Sequence, residues 1–181
     1  MVSLREQLNS YAAYHQDPRN KFTHFFGVPL VTFAIFLFLA WFRFGAAPEA
    51  PLLNGATLFY LIVLAYYVCL DAAVALIQMP FSLILLWLAD RVSLWSFSES
   101  ALVFAATFIG GWIIQLAGHA VEGRRPALTD NLLQIFNAPL FLVVEVLHAC
   151  GARPDLKTAS EPEQSIPLPV DQLREVRANI S

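Results

Sequence analysis

Of the four histidines in the 181 residues, three fall where apolar runs begin or end. His15 and His24 flank Pro18 in the stretch Tyr11–Pro29, YAAYHQDPRNKFTHFFGVP, just ahead of an apolar run that starts near Val28. His119 closes another apolar run in Gln115–Leu128, QLAGHAVEGRRPAL, with Glu122 following at i+3. If that helix continues, the two side chains share a face. Imidazole nitrogens, with or without a carboxylate, form the donor set of a divalent iron or zinc site. Glu122 could ligate directly or orient His119 through a hydrogen bond. The fourth histidine, His148, has Glu145 at i−3 and reads equally well as an exposed helix-end residue. Asp71 joins such a site only if it falls at a turn on the same side.

Several elements have to position these groups. Pro18 lacks an N–H and clashes with a preceding helical turn, so a helix arriving from the N-terminus is expected to end before it. Asn20 is expected to cap a new helix that carries His24. A turn between the two helices can fold His15 back toward His24. Residues 2–14 read as a short amphipathic helix with Leu4, Leu8, Tyr11 and Ala12 on one side, lying on a membrane surface.

The chain is 57% hydrophobic and only 14% charged. Soluble domains carry about a quarter charged residues, so the missing charges point to an integral membrane protein. A formal net charge of −3 gives no polybasic character, which argues against nucleic acid as a partner. Asp17, Arg5, Glu6 and Arg19 precede any long apolar run, so the N-terminus does not read as a cleaved signal peptide. Cys69 and Cys150 form no disulfide or zinc pattern and read as buried small residues.

A bilayer span needs about 20 largely apolar residues. The body of a first span is expected over Val28–Phe42, extended back to about Phe22. Leu52–Ala89 is long enough for a hairpin of two spans, with its turn either at Asp71 or at Gln78-Met79-Pro80. Ser98 or Ser100 is expected to cap a fourth span over Ala101–Gly118, with Glu99 in its first turn. Gly27, Gly110, Gly111 and Gly118 would let the first and fourth spans pack closely, bringing His119 alongside the other histidines. Pro126–Gly151 reads as a helix started by Thr129 or Asp130 and broken at Pro139, packed at the interface or dipping into the bundle beside the site. The fold class is therefore an all-α membrane bundle of about four spans, with an N-terminal amphipathic helix and a C-terminal broken one. Residues 1–152 form the membrane-embedded domain. From Arg153 the chain turns polar and proline-rich, reading as a disordered tail. Of the 11 Lys and Arg residues, only Arg43 and Arg91 fall on the side opposite the termini. By the positive-inside rule both termini, and the three histidines, lie on the cytoplasmic side.

The pattern Y-x-x-Y-H-x4-N-x3-H-x2-G-x-P at Tyr11–Pro29, with G-H-x2-E-G-R-x-P-A-L at Gly118–Leu128 and A-P-L-F-x3-E at Ala138–Glu145, resembles the 2-hydroxy fatty acid dioxygenase family of fatty acid α-oxidation. The resemblance covers about residues 1–152. It implies a small multi-span protein that uses Fe2+ and O2 to shorten a 2-hydroxy long-chain fatty acid by one carbon, in the bacterial inner membrane or the ER membrane. The family's essential histidines map onto His15, His24 and His119, while His148 matches no motif position. With Glu122 these make the candidate catalytic set. Arg124 and Arg125 are candidate clamps for the substrate carboxylate, because a guanidinium meets a carboxylate with two hydrogen bonds, and Asn20 is a candidate substrate contact. Two other classes compete. One is a non-enzymatic membrane lipid-binding or assembly protein with a structural metal. The other is a zinc hydrolase with Glu122 as general base. HExxH, G-x-S-x-G and phosphate-cradling glycine motifs are missing from the sequence.

Overall fold

The computed structural model describes residues 3–44, 53–123, 125–126, 134–153 and 156. Among them are six α-helices and no strand; an isolated bridge joins Arg43 and Asn54. The first helix, α1 (Leu4–Ala12), opens on a capping box in which Ser3 Oγ accepts the Glu6 N–H and the Glu6 carboxylate accepts the Ser3 N–H. Leu4, Leu8, Tyr11 and Ala12 share its apolar face as the periodicity predicts, and all four are buried. They pack into a core with Leu140, Phe141 and Val144 of α6 (Gln134–Ala149), so this face is covered by protein and not by a membrane surface.

The second helix, α2 (Pro18–Ala40), corrects the expected cap. Asp17 takes that place, its Oδ1 accepting the Arg19 N–H at 2.8 Å, and Pro18 stands inside the first turn. A proline costs nothing there, because that N–H has no helical acceptor anyway. Asn20 is thereby freed from capping and turns inward, with 0% of its surface exposed.

The hairpin α3 (Gly55–Leu70) and α4 (Ala72–Ser93) turns at Asp71, not at Gln78–Pro80. Asp71 caps α4 through the Val74 N–H at 3.0 Å and pairs with Arg153 at 2.7 Å. Pro80 is accommodated within α4. The fifth helix, α5 (Phe97–Glu122), is capped by Ser96 in a capping box with Glu99, so neither Ser98 nor Ser100 has that role. It ends at Gly123, whose φ of 71° suits a residue without a side chain.

Helices α2, α4 and α5 are long and apolar enough to cross a membrane, while α3 is a shorter apolar helix of 16 residues. The close pairing of α2 with α5 rests on three of the four expected glycines. A Cβ on Gly27 would run into the Gln115 stem and stand 2.9 Å from the Gly111 carbonyl oxygen. One on Gly111 would stand 2.8 Å from Val31 Cγ2, and one on Gly118 would overlap Thr23 and Asn20. Gly110 has nothing within 4 Å and faces away. Helix α6 is unbroken within 134–149, with Pro139 inside it, against the expected break. A proline near a helix start forfeits few bonds. Cys69, on α3, and Cys150, in the turn after α6, are exposed, which corrects their reading as buried. Thr129, Asp130 and most of the tail lie outside the described residues; Arg153 reaches Asp71, and Leu156 joins the core of α1 and α6.

Candidate metal centre

Three backbones converge on one point. His15 follows α1 in the turn before α2, His24 lies two turns into α2, and His119 lies one turn before the end of α5. Their exposures are 1%, 2% and 4%. The ring centroids are 4.5 Å apart for His15 and His24, 4.8 Å for His15 and His119, and 5.1 Å for His24 and His119. One nitrogen from each ring falls in a set whose members all lie within 4.8 Å of one another.

The hydrogen bonds decide how these rings are protonated. His15 Nδ1 lies 2.8 Å from the Tyr11 carbonyl oxygen, and His24 Nδ1 lies 2.9 Å from the Asn20 carbonyl oxygen. A carbonyl only accepts, so in each ring the proton sits on Nδ1 and Nε2 keeps its lone pair. These two Nε2 atoms stand 3.2 Å apart. Lone pairs at that distance in a dry site repel unless something positive lies between them. A shared proton would place an imidazolium where charge is most costly. Burial, and next the neighbouring His24, push the His15 pKa down to about 3, so that ring is neutral. With metal–nitrogen bonds of about 2.0–2.1 Å, two imidazoles on one ion put their nitrogens roughly 3.0–3.4 Å apart. The His15 and His24 nitrogens therefore fit a divalent cation, with a His119 nitrogen inside the same 4.8 Å set, and the two anchoring carbonyls supply the outer hydrogen bonds that the first two ligands need.

The surroundings hold the rings still. Tyr11 stacks on His15 at 4.0 Å with an interplanar angle of 7°, and Phe141 closes the site from α6. Glu122 occupies a different position from a fourth ligand. Its Oε1 accepts the Gln16 N–H at 2.7 Å and its Oε2 accepts from Asn20 Nδ2 at 2.5 Å. It thus ties the end of α5 to the turn carrying His15. Asn20 also stands 3.4 Å from His119 Nδ1, linking all three segments. The other candidates are engaged elsewhere: Glu145 with Lys21 at 2.9 Å and Asp71 with Arg153. His148 sits in the last turn of α6, outside the trio. Arg125 is exposed and lines a shallow surface recess with Ser10, Ala13 and Tyr14. Arg124 lies outside the described residues.

Beside the histidines is a cavity of about 40 Å³, bounded also by Tyr11, Trp112, Gln115 and Leu116. A second, apolar cavity of about 70 Å³ runs between α2, α3 and α6, lined by Val28, Val31, Phe36, Phe59 and Val63 among others. Trp112, Gln115, Ile135 and Ala138 border both. Sequence reasoning passed over Tyr11 and Gln115 as site residues. Gln115 stands at i−4 from His119 in the same helix, and that spacing alone would have put the two on one face; His15 lies beyond the end of α1, so no helical spacing marks Tyr11.

A family model described as 2-hydroxy-palmitic acid dioxygenase Mpo1-like matches residues 1–150. The chain is 33% identical over 169 residues to the 2-hydroxy-palmitic acid dioxygenase MPO1 of Saccharomyces cerevisiae, with 92% of each chain covered. No solved structure matches the chain.

Proposed function

The chain belongs to the 2-hydroxy-palmitic acid dioxygenase Mpo1-like family, and on that premise we propose that it is a membrane-embedded dioxygenase of 2-hydroxy long-chain fatty acids in which His15, His24 and His119 hold one Fe2+. The observation that carries this reading is the pair of Nε2 atoms facing each other at 3.2 Å beside His119. Fe2+, when bound, supplies the redox chemistry toward O2 that amino-acid side chains lack. Three protein ligands leave positions for the carboxylate and hydroxyl oxygens of the acid.

The protein's own residues bind, orient and exclude water. The Tyr11 and Asn20 carbonyls fix the imidazole tautomers, and the Tyr11 ring fixes the plane of His15. Glu122 and Asn20 lock the His15 turn onto α5 as positioning residues. The apolar cavity receives the first methylenes of the alkyl chain, each one buried contributing about 0.8 kcal/mol. In this reading α3 is the fourth span and both termini are cytoplasmic. A Phe44→Cys label and native Cys150, in a Cys69→Ser background, should then be reached from opposite sides, and labelling from one side only would overturn that topology.

The functional test is anaerobic purification with metal analysis, then incubation with 2-hydroxypalmitate and O2. Stoichiometric iron and a fatty product shorter by one carbon are expected. Iron-loaded protein that leaves the acid unchanged would overturn the reading, and zinc in place of iron with hydrolytic turnover would favour the hydrolase.

A further inference from the structure

Gln115 lies on α5 one turn before His119, on the same face of the helix. The residue is 9% exposed, and its carboxamide, which no hydrogen bond among the described residues engages, is open to the cavities. It borders both the histidine cavity and the apolar cavity. Its stem is held in place, since a Cβ on Gly27 would collide with its Cγ. A ligand that covered this carboxamide without a hydrogen bond would incur its desolvation cost, and an alkyl chain cannot satisfy it. A molecule with oxygens at the histidines and its chain in the apolar cavity must pass Gln115 at the carbons that carry those oxygens.

No cationic side chain lines either cavity among the described residues. Lys21 is paired with Glu145, and Arg125 faces an outer recess. Tyr67, deeper in the apolar cavity, donates its O–H to the Phe136 carbonyl at 2.6 Å. The donors at the junction of the two cavities are therefore neutral, the Gln115 carboxamide and the Trp112 indole N–H, and of these Gln115 is the one a single helical turn from a site histidine.

We propose that Gln115 determines specificity for the oxygenated head group, its carboxamide N–H donating to a carboxylate or hydroxyl oxygen of the 2-hydroxy acid. This inference rests on the functional reading above. A site built to hydrogen-bond a substrate oxygen rejects analogues without it more strongly than an apolar pocket does.

The test uses the full, iron-loaded chain. Gln115→Met keeps the stem that packs on Gly27 and removes the amide; Gln115→Glu replaces the donor with a charge that repels a carboxylate. With 2-hydroxypalmitate, the methionine variant is expected to raise KM about tenfold, with iron content and kcat near wild type, and the glutamate variant to raise it further. Competition by palmitate and by the 1,2-diol of the same length tells which oxygen is read: the analogue carrying it loses affinity in Gln115→Met. A wild-type KM in both variants overturns the inference while leaving the function intact. Loss of iron in Gln115→Met also overturns it, because the residue would then be serving the metal site. If iron-loaded wild type fails to act on the acid, the functional reading falls and takes the inference with it.

Discussion

At the end of α2 away from the histidines, the Asp90 carboxylate is as deeply buried as the His15 ring, yet its surroundings are of the opposite kind. Asp90 Oδ1 accepts from Arg43 Nη1 and from Asn54 Nδ2, both at 2.9 Å, and Oδ2 accepts from Arg91 at 2.5 Å. Ser93 donates to its carbonyl oxygen and Trp41 donates to Ser100 nearby. A charged acceptor there meets donors of the opposite sign, so the cluster latches α4 to the loop joining α2 and α3. At the other end, nitrogen lone pairs face nitrogen lone pairs. Buried polar groups are normally matched, and acceptors gathered with acceptors make a set that could hold a cation. Burial by itself does not separate a structural cluster from a chemical one; the balance of donors and acceptors does.

The contrast breaks most sharply on replacement of a histidine. His24→Ala and His119→Ala should each lower activity on the order of 100-fold or more and release iron, since even residues that only support metal ligands are worth 10–100-fold. The bundle should still insert with little change in thermal midpoint. Stoichiometric iron and normal turnover in either variant would remove the metal centre.

Asp90→Ala should do the reverse. It takes the shared acceptor from the partly buried Arg43 and the buried Asn54, and leaving a buried donor unmet costs about 1–3 kcal/mol. Chemical unfolding in detergent should report that loss, while iron per folded chain stays at the wild-type value. A fall in iron stoichiometry would mean that the two ends are not independent.

A smaller effect is expected at the α2–α5 contact that connects them. Gly27→Ala should destabilise by about 1–3 kcal/mol, because overpacking forces two helices apart, and should weaken iron binding by separating His24 from His119. Gly110→Ala is the matched control: with nothing within 4 Å it should leave both measurements unchanged.

The least effect belongs to the Asp71–Arg153 pair. The hydrogen bond from Arg153 holds the Asp71 carboxyl below the usual range. A depressed carboxyl pKa contributes stability above the unfolded value, near 3.9, and that contribution is lost as pH falls through the folded value. Arg153→Ala should therefore cost about 0.5–1 kcal/mol at pH 7, and the variant and wild type should converge as pH drops below about 4. Unfolding curves that stay parallel at low pH would rule out the pair as the cause.

The site histidines are readable from motif spacing, the membrane character from the shortage of charges, and the helical class from apolar runs long enough to span a bilayer. The caps at Ser96 and Asp17 are not legible in the sequence, because several residues near each boundary can accept an N–H and only backbone geometry selects one. Asp71 and Gln78–Pro80 were equivalent as turns until Arg153, 82 positions away, was seen to pair with Asp71.

What the sequence by itself determined is local: which segments are apolar enough to be helices in lipid, where glycines permit close approach, and which side chains can ligate. Tertiary structure alone decided what those side chains do. Glu122 shares a helix turn with His119, but its carboxylate bonds to Gln16 and Asn20, more than 100 positions earlier. Arg125 follows Glu122 closely in the chain and faces a different recess. The reason is geometric: residues a turn apart on a helix share a face, but each position of the fold meets partners brought by other helices, and a periodicity cannot name them.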